Sequence, residues 1–442
     1  MNIEESYYNY LSSLDQLTLY KAFHKNLRNN DCVLGEELLP TYLQPYFMDR
    51  EKRSYLANVT EKLTSALEKI CVHRFESLQL NELLPMSPGF EELCRIDPHY
   101  TGHQMVIRLD AFYDPRTEAL KVIEFNCGDP SGMGFQAGVV KAIEKINKSY
   151  KYFNSLNFQF DNFIEPLKSI LLKKYREFCI NRSKVYKESP SLALMCKAGS
   201  LIEGDFRKIV NDLTKLGSKV RLVDPFDFTY RKGRLYVGDE EIDIVYRDII
   251  DDFWMEKREH NPKDLLEAYK NGDICLLNPI SSAAGDFKNI NYIMKCGEFD
   301  FLFTSEEHEV IEKHIPETFP LTKNTQSQVL KNKDKFILKP NVGFGGYGVV
   351  IGHQLSEDDW TENVDKFIQG DCTVQEYVEI PKYNFSNISE DLILNRNEKY
   401  VNINLWAHGG KFTGAFVRAS EDKIINVCQG GGLVPVCWYS EV

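Results

Sequence analysis

Apolar side chains first recur at helical spacing within the N-terminal hundred residues. Between positions 56 and 70 they fall three or four residues apart, at Leu56, Val59, Leu63, Leu67 and Ile70. This period places them on one face of an amphipathic helix. We therefore predict that residues 1–100 form a helical region, which serves for packing or as a cap on the substrate side.

The pattern changes to alternation between residues 104 and 126. Arg108 and Asp110 share one face of the first run, and Glu124 and Asn126 share one face of the second. A loop near Thr117 would join the two runs into an antiparallel hairpin with Asp110 opposite Glu124. Two carboxylates in that arrangement repel each other, whereas a bound cation reverses the sign. The alternative is a solvated hairpin face with an Arg–Glu pair.

The chemistry of this hairpin follows from its residue types. Asp110, Glu124 and Asn126 offer only oxygen ligands, which suits Mg²⁺. Arg108 lies two residues from Asp110 on the same face, where a guanidinium can bind a phosphate through two hydrogen bonds.

Residues 191–247 combine short apolar runs with one helical pattern. The runs 192–195, 220–223 and 242–246 predict strands, and Gly217 has the usual place just after a helix end. No glycine fingerprint follows the first strand, so this unit is not a dinucleotide site. The pattern predicts a small α/β domain.

Two apolar runs joined by glycines form the stretch 336–352, FILKPNVGFGGYGVVIG. A strand, a glycine loop and a second strand can lay backbone N–H groups over phosphates, and Lys339 adds a cation beside them. The Rossmann version needs a helix after the glycines, but a β-branched run follows here. The protein-kinase form fits through Val350, but the sequence has neither H-R-D nor D-F-G. The remaining alternative is a glycine-rich hairpin of no chemical importance.

The last part of the chain is predicted as strands with polar connections. Residues 372–378, CTVQEYV, form a candidate strand beside a nucleotide base, and the polar stretch 382–399 reads as a mobile loop. Further strands follow around 400–407 and 412–418, and the second of them ends in Arg418.

Composition limits the classes of function. The 442 residues are 43% hydrophobic and 27% charged, which is typical of a globular protein with roughly three domains. A net charge of −12 argues against general binding of nucleic acids or anionic membranes. The first ten residues show no signal-peptide pattern, and no apolar window is long enough to span a membrane. Eleven scattered cysteines without a C-x-x-C pair favour reduced thiols in a cytoplasmic protein over disulfides or a zinc site.

The order of the motifs resembles that of a known family. R-x-D, E-F-N, N-P…K (Asn278, Pro279, Lys288), K-P-x-x-G-x-G-G-x-G, Q-E-Y and the late Arg418 follow one another along the chain. Roughly over residues 100–442, this series resembles the circularly permuted ATP-grasp ligases, whose best-known member is glutathionylspermidine synthase. In ordinary ATP-grasp enzymes the magnesium carboxylates follow the glycine loop, but here their candidates precede it by more than 200 residues.

The resemblance implies an α/β (α+β) architecture, an ATP-grasp fold in circularly permuted order. We expect a helical cap at 1–100 and the metal-ligand hairpin with helices of the core at 101–185. A small Rossmann-like unit on the substrate side would occupy 186–280, and the nucleotide-binding domain with its glycine flap would occupy 281–442.

The resemblance also implies roles for individual residues. The Mg²⁺ ligands would be Asp110, Glu124 and Asn126. The groups on the ATP phosphates would be Lys288, Lys339, Gly343, Gly345, Gly346 and Gly348. The adenine hinge would be Gln375, Glu376, Tyr377 and Val378. Arg108 would lie near the transferred phosphate, and Arg418 would stabilise the acyl transfer step.

The flap departs from the glutathionylspermidine enzymes, which carry charged residues where this chain has Phe344 and Gly346. Glutathione and spermidine are therefore not implied as substrates. The implied activity is ATP-dependent ligation of a carboxylate, such as an amino acid, through an acyl phosphate. The acceptor would be an amine or the thiol of an acyl-carrier protein, in antibiotic or other natural-product or peptide biosynthesis.

Two alternatives from other classes remain open. One is a small-molecule phosphotransferase that stops at the phosphorylated product. The other is a non-catalytic protein that binds a nucleotide or docks a partner. Neither nucleic acid nor a membrane is an expected partner.

Overall fold

The computed structural model describes residues 3–148, 157–248, 262–343 and 345–440. The strands are β1 (Val33–Leu34), β2 (Glu37–Leu38), β3 (Tyr46–Asp49), β4 (Val106–Asp114), β5 (Ala119–Asn126), β6 (Gln159–Phe160), β7 (Ser191–Met195), β8 (Lys219–Val223), β9 (Phe228–Arg231), β10 (Arg234–Val237), β11 (Glu240–Ile242), β12 (Ile244–Arg247), β13 (Cys275–Leu277), β14 (Thr318–Pro320), β15 (Phe336–Pro340), β16 (Val350–Ile351), β17 (Cys372–Glu376), β18 (Lys382–Ile388), β19 (Leu394–His408), β20 (Lys411–Ser420) and β21 (Gly432–Tyr439).

The α-helices of the same residues are α1 (Ile3–Ser12), α2 (Gln16–Asn29), α3 (Glu51–Arg74), α4 (Leu78–Leu83), α5 (Pro88–Cys94), α6 (Met133–Asn147), α7 (Ile164–Asn181), α8 (Glu203–Lys215), α9 (Lys263–Lys270), α10 (Ile290–Lys295), α11 (Ser305–His314), α12 (Gln326–Lys331) and α13 (Glu357–Phe367). In the described ranges, no helix combines the length and the apolar character that a membrane crossing requires.

A mostly antiparallel sheet forms the centre of the molecule. Its strand order is β3-β21-β20-β19-β4-β5, with β18 beside β19 and β6 beside β21. Its two faces differ in what they cover. Ile107 and Leu109 lie in the core on one face with the apolar side of α3, which confirms the predicted amphipathic helix. The other face is apolar near Val106 and Phe416 and becomes polar where Arg108 and Asp110 lie.

The predicted carboxylate hairpin is confirmed as β4 and β5. Its register pairs Asp110 with Glu124 and Arg108 with Asn126. A bulge between Asp110 and Ala111 interrupts the ladder beside this pair. A bulge increases the local twist and redirects side chains. This one therefore affects the direction of the polar side chains next to it.

The predicted α/β unit is also present. β7, β8, β12 and β13 form a parallel sheet in the order β13-β12-β7-β8, and α8 connects β7 to β8. Gly217 follows this helix with a φ of 79°, the left-handed conformation that glycine adopts at low cost.

A second small sheet, in the order β14-β17-β15-β16, carries the glycine stretch. β15 and β16 pair antiparallel through Ile337–Ile351 and Leu338–Val350, as predicted for the flap. The sheet rests on α12 and α13, where Trp360 is fully buried and donates from its indole nitrogen to the carbonyl of Val329 at 3.2 Å. This packing holds the base of the glycine loop in place.

Three segments differ from the prediction. Within the helical N-terminal region, residues 33–49 contain β1, β2 and β3. Gly35, at a φ of 65°, turns the chain between β1 and β2, and β3 pairs with β21 of the central sheet. The stretch 382–399, predicted as a mobile loop, forms β18 and the start of β19. Buried Tyr383 and Phe385 alternate there with exposed Lys382 and Asn384, as in an antiparallel strand with one solvated face, but the many polar residues of the segment obscured this pattern in the sequence.

The third difference is β21, which lies between β20 and β3 in the sheet. Pro435 within this strand cannot donate a backbone hydrogen bond, and such a residue argues against an interior strand. The pairing of the strand changes along its length, antiparallel to β20 through Pro435 and parallel to β3 from Val436. The proline therefore lies where one partner strand gives way to the next.

Candidate active site

Two arginines hold the buried carboxylate of Asp110. Arg108 donates from Nε to Asp110 Oδ1 at 2.8 Å and from Nη2 to Oδ2 at 3.3 Å. Arg418 of β20 donates from Nη2 to the same Oδ2. Asp110 has no exposed surface, and both arginines are buried. The central sheet thus brings Arg108 of β4 and Arg418 of β20 to the same carboxylate.

The electrostatics of this cluster keep Asp110 ionised. Burial by itself raises the pKa of Asp110, but the guanidiniums of Arg108 and Arg418 outweigh it and hold the pKa well below its usual range. Burial in turn lowers the pKa of Arg418. The three groups therefore form a compact charged network in which each charge depends on its neighbours.

Glu124 faces a different cation. Lys288 Nζ lies 3.4 Å from Glu124 Oε2 and donates to the carbonyl of Asp286 at 3.3 Å. Asn126, two residues further along β5, donates from Nδ2 to the carbonyl of Arg108 at 3.4 Å. The register places Glu124 and Asn126 opposite Asp110 and Arg108 on the same side of the hairpin.

Lys339 lies at the end of β15, directly before the glycine loop. Its Nζ donates to Gln375 Oε1 at 2.7 Å and to the carbonyl of Ile123 at 3.4 Å. Burial lowers the pKa of Lys339 to about 8. The lysine thus joins the small sheet to the carboxylate hairpin, and its charge is sensitive to nearby anions.

The glycine loop uses conformations that favour glycine. Gly345, Gly346 and Gly348 have φ values of 68°, 75° and 75°. A Cβ on Gly346 would lie 2.6 Å from the side chain of Ile424. Gln429 donates from its amide nitrogen to the carbonyl of Gly345. The loop is therefore in contact with residues 424–429, a segment that sequence patterns did not connect with it.

The predicted hinge comprises the last two residues of β17 and the two residues that follow it. The backbone N–H of Glu376 donates to the carbonyl of Glu317, and that of Tyr377 donates to the carbonyl of Lys335, both at 2.7 Å. Two backbone N–H groups of the hinge are therefore already paired with backbone carbonyls. Lys423 Nζ lies 3.3 Å from the Tyr377 hydroxyl and 2.8 Å from His353 Nε2.

One cleft brings these groups together. The predicted site residues that line it are Arg108, Asp110, Glu124, Asn126, Lys339, Gly343, Gly345, Gly346, Gln375, Glu376, Tyr377, Val378 and Arg418. Lys288 and Gly348 are not part of this lining. Lys288 approaches it through Glu124, and Gly348 lies against Pro340, whose Cγ would be 2.8 Å from a Cβ on that glycine.

Sequence reasoning missed several lining residues. The cleft also contains polar groups from β19 and from the segment after β20, and apolar side chains that form a slot. These residues are Asn402, Lys423, Asn426, Phe112, Ile123, Ile337, Ile351, Ile380, Ile424 and Ile425. For Asn402 a signal existed, because N-I-N alternates in a strand that leads to Arg418. Lys423 and Ile424 lie beyond the last predicted strand, where no periodicity identifies a contact.

The residues fit a hard cation. Asp110, Glu124 and Asn126 supply two carboxylates and an amide oxygen, a donor set typical of Mg²⁺. In the described part of the chain, no three side chains of His, Cys, Asp or Glu lie close enough together to hold a metal ion. A site at this hairpin would therefore use the amide oxygen as its third ligand. Both oxygens of Asp110 accept hydrogen bonds from arginines, so a cation there competes with two guanidiniums.

Comparisons with known proteins agree with this geometry. A family model described as "A circularly permuted ATPgrasp" matches residues 118–375, more than half of the chain. The matched range contains Glu124, Lys288, Lys339 and Gln375, whereas Asp110 and Arg418 lie outside it.

Curated relatives come from mycobacteria. Uncharacterized protein Rv2411c of Mycobacterium tuberculosis is 24% identical over 243 residues. Uncharacterized protein ML0605 of Mycobacterium leprae is 24% identical over 237 residues. Each match covers 48% of this chain and 40% of the relative, so less than half of the relatives' length corresponds to this chain.

Among solved structures, the apo form of a glutathione synthetase-like effector, GSS30 from Globodera pallida, is similar over 97% of both chains. The TM-score is 0.61 at 13% identity, a likeness that shows the fold alone. The fold is thus a mixed α/β arrangement in circularly permuted order. The family match establishes that the chain belongs to the circularly permuted ATP-grasp family, whose members typically use ATP and Mg²⁺.

Proposed function

We propose that this protein ligates a small carboxylate, such as an amino acid, through an acyl-phosphate intermediate formed from ATP. One observation carries the proposal. The buried carboxylate of Asp110 lies between Arg108 and Arg418, in the same cleft as Lys339 and the glycine loop. Such a cleft suits a polyphosphate beside a second anion, because its cations can spread the negative charge of both.

The nucleotide would bind across the small sheet. Its base would enter the slot between apolar side chains and the hinge at Gln375, Glu376, Tyr377 and Val378. Its phosphates would extend toward Lys339 and Lys288, beneath Gly343, Gly345, Gly346 and Gly348. The left-handed glycines would let backbone N–H groups approach the phosphate oxygens closely.

Asp110, Glu124 and Asn126 would hold Mg²⁺, which supplies positive charge for the phosphate oxygens when bound. Arg108 makes two hydrogen bonds to Asp110, and Arg418 makes one. These bonds would break when that carboxylate takes a new partner, and this would free guanidinium N–H groups for the substrate.

In the first step, a carboxylate oxygen of the substrate attacks the γ-phosphorus of ATP. The bond from that phosphorus to the bridging oxygen breaks, and its electron pair leaves with ADP. Arg108 and the lysines would stabilise the transferred group by position and charge, which accounts for most of the catalysis in phosphoryl transfer. The glycine flap would exclude water, which otherwise hydrolyses an acyl phosphate.

In the second step, an amine nitrogen or a thiolate sulfur attacks the acyl carbon. A tetrahedral oxyanion forms beside Arg418, the bond from carbon to the phosphate oxygen breaks, and phosphate leaves. An amine also loses a proton. Removal of one such oxyanion donor typically costs roughly 3–4 kcal/mol of barrier.

The acceptor remains open between an amine, which yields an amide, and the thiol of a carrier protein, which yields a thioester. Both products fit natural-product or peptide biosynthesis.

The test is an ADP-release assay with Mg²⁺ across amino acids and other small carboxylates, with hydroxylamine as a trap. A ligase yields a hydroxamate and ADP in equal amounts for the right carboxylate. ADP together with a stable phosphorylated product and no hydroxamate would instead identify a phosphotransferase. An absence of ADP with every carboxylate would favour the non-catalytic alternative.

A matched control for the assay is Lys411→Ala. Lys411 is exposed at the start of β20, where it pairs with Glu61, so its loss should leave turnover unchanged. Mass spectrometry with amines and carrier proteins would then identify the acceptor from the mass of the product.

A further inference from the structure

Two asparagines of β19 lie on the polar face of the central sheet. The register places Asn404 opposite Asp110 on one side, and Asn402 opposite Arg418 on the other. Residues two apart on a strand share a face, so both amides face the cluster of Arg108, Asp110 and Arg418. Asn402 is 3% exposed and Asn404 is completely buried. Neither follows from the family motifs in the sequence.

Hydrogen bonds connect these amides to the candidate catalytic arginine. Arg418 donates from Nε to Asn402 Oδ1 at 3.2 Å. Asn404 donates from Nδ2 to the same oxygen at 3.0 Å and to the carbonyl of Asn402 at 3.3 Å. The Asn402 oxygen is therefore held by two donors, one of which is the guanidinium.

This arrangement holds two nitrogens of the Arg418 guanidinium. Its Nε donates to Asn402, and its Nη2 donates to Asp110. A planar guanidinium with two of its nitrogens held cannot rotate freely about its last side-chain bonds. When Asp110 engages another partner, Asn402 remains as the contact that keeps the plane directed into the cleft.

The residue type matters for the charge of the site. An amide oxygen accepts a hydrogen bond without adding a negative charge, so Asn402 orients Arg418 and leaves its positive charge available. A carboxylate at the same position would add a second anion beside Arg418 and reduce its attraction for a substrate anion. The neutral acceptor therefore suits an arginine that must bind an anionic reacting group.

The buried amide of Asn404 costs folding free energy, which indicates that this residue has a specific role. Its Oδ1 is buried and has no hydrogen-bond partner among the described residues. A buried acceptor without a donor is unfavourable, and an apolar residue at this position would avoid that penalty. Its Nδ2, by contrast, makes two contacts with Asn402.

We propose that Asn402, held by Asn404, is a positioning residue that directs the Arg418 guanidinium toward the reacting carboxylate. The inference rests on the proposed ligase function, because Arg418 acts there on the tetrahedral oxyanion. Asn402 acts through Arg418, and its effect depends on the presence of that side chain.

The test is a double-mutant cycle of Asn402→Ala and Arg418→Ala. It uses the full chain and the carboxylate that yields the most hydroxamate. Asn402→Ala should lower kcat about 10- to 100-fold, the range expected for a lost hydrogen bond to a charged group. The KM for ATP should change less than about threefold, because the nucleotide end of the cleft is untouched. In the Arg418→Ala background, Asn402→Ala should cost less than about threefold more.

Two further variants separate positioning from mere stability. Asn404→Ala should lower kcat in the same direction as Asn402→Ala but less, and this effect should also vanish without Arg418. Asn147→Ala is the structural control, because Asn147 is buried, accepts a hydrogen bond from Tyr7 at 2.9 Å and does not line the cleft. Its loss should lower the free energy of unfolding and leave kcat unchanged.

Three outcomes would overturn the positioning role of Asn402, and the last of them would also overturn the ligase function. If Asn402→Ala costs as much without Arg418 as with it, Asn402 contacts the substrate directly and the positioning role is wrong. An unchanged kcat in Asn402→Ala also overturns it. If the wild-type protein forms no hydroxamate with any carboxylate, the ligase function fails, and the positioning proposal falls with it.

Discussion

Lys339 and Gln375 are joined by a hydrogen bond of 2.7 Å from the lysine Nζ to the glutamine Oε1. The two residues are diagonal neighbours on β15 and β17, because Lys339 pairs with Thr373 and Gln375 pairs with Ile337. Gln375 also donates from Nε2 to the carbonyl of Ile123 and to the Thr318 hydroxyl, each at 3.3 Å. The amide is thereby oriented with its oxygen toward the lysine. The base of the glycine loop is thus coupled to the hinge.

The first prediction concerns this bond. Gln375→Leu removes the acceptor and leaves the buried ammonium of Lys339 with only the longer contact to the carbonyl of Ile123. An unsatisfied buried donor costs about 1–3 kcal/mol, and we expect that loss in the free energy of unfolding, measured with a chemical denaturant. Gln369→Leu, outside the cleft, is the control and should change stability by less than about 0.5 kcal/mol. Equal stability of Gln375→Leu and wild type would contradict the prediction.

The second prediction concerns pH. Burial lowers the pKa of Lys339 to about 8 in the ligand-free protein, so the ammonium loses its proton as the pH rises through about 8. A polyphosphate requires the charged form, so binding above that pH must take up a proton. We therefore expect the affinity for a non-hydrolysable ATP analogue to fall up to about tenfold for each pH unit above the pKa.

Calorimetry in two buffers of different ionisation enthalpy measures that proton uptake directly. Lys339→Arg is the control, because an arginine stays protonated over the whole range and should remove the pH dependence attributed to this position. An affinity that is flat from pH 7 to pH 10 in the wild-type protein would exclude Lys339 as the titrating phosphate ligand.

The third prediction compares two glycines of the same loop. In Gly346→Ala the new Cβ would lie 2.6 Å from the Ile424 side chain at a φ of 75°. A left-handed residue with a Cβ costs roughly 1–2 kcal/mol, so the analogue should bind about tenfold more weakly. In Gly343→Ala the nearest atom is 3.9 Å away, and the affinity should stay within about twofold of wild type. Equal losses in both variants would show that loop geometry does not limit binding.

The fourth prediction concerns the carboxylate between the two arginines. Asp110→Asn leaves Arg108 and Arg418 buried without their anion, and loss of one partner of a buried pair costs about 3–5 kcal/mol. Because the pKa of Asp110 is held low, this contribution is present above the unfolded-state value of about 3.9 and is lost as the pH falls below it. Denaturant titrations at pH 7 should show the full loss.

Asp114→Asn is the matched control on the same strand. Asp114 pairs with Arg116, which is largely exposed, so its loss should cost less than about 1 kcal/mol. We also expect Asp110→Asn to abolish the effect of Mg²⁺ on the affinity for the ATP analogue, measured by titration. An unchanged Mg²⁺ effect would remove Asp110 from the predicted metal ligands.

The sequence predicted best those elements whose pattern of apolar and polar residues repeats within a few positions. The period of α3, the alternation of β4 and β5, and the strand–glycine–strand stretch at 336–352 are all visible in the chain because neighbouring residues share one environment. The opposition of Asp110 and Glu124 followed from the length of the two runs and of the loop between them. The motif order then indicated a permuted family.

Other features needed the folded chain. β18 and β21 were missed because solvated polar residues and Pro435 obscure the alternation of those strands. Asn402, Lys423 and Ile424 reach the cleft only through the pairing of β19 and β20 and the turn that follows.

By itself the sequence predicts a class of chemistry, because residue types and their order supply candidate oxygen ligands, cations and a glycine loop. Tertiary structure decided which groups meet. Arg418 lies 308 positions from Asp110 along the chain, and no local period relates them. They come together because β19 lies between β4 and β20 in the sheet, and strand order depends on long-range pairing that a linear pattern does not record.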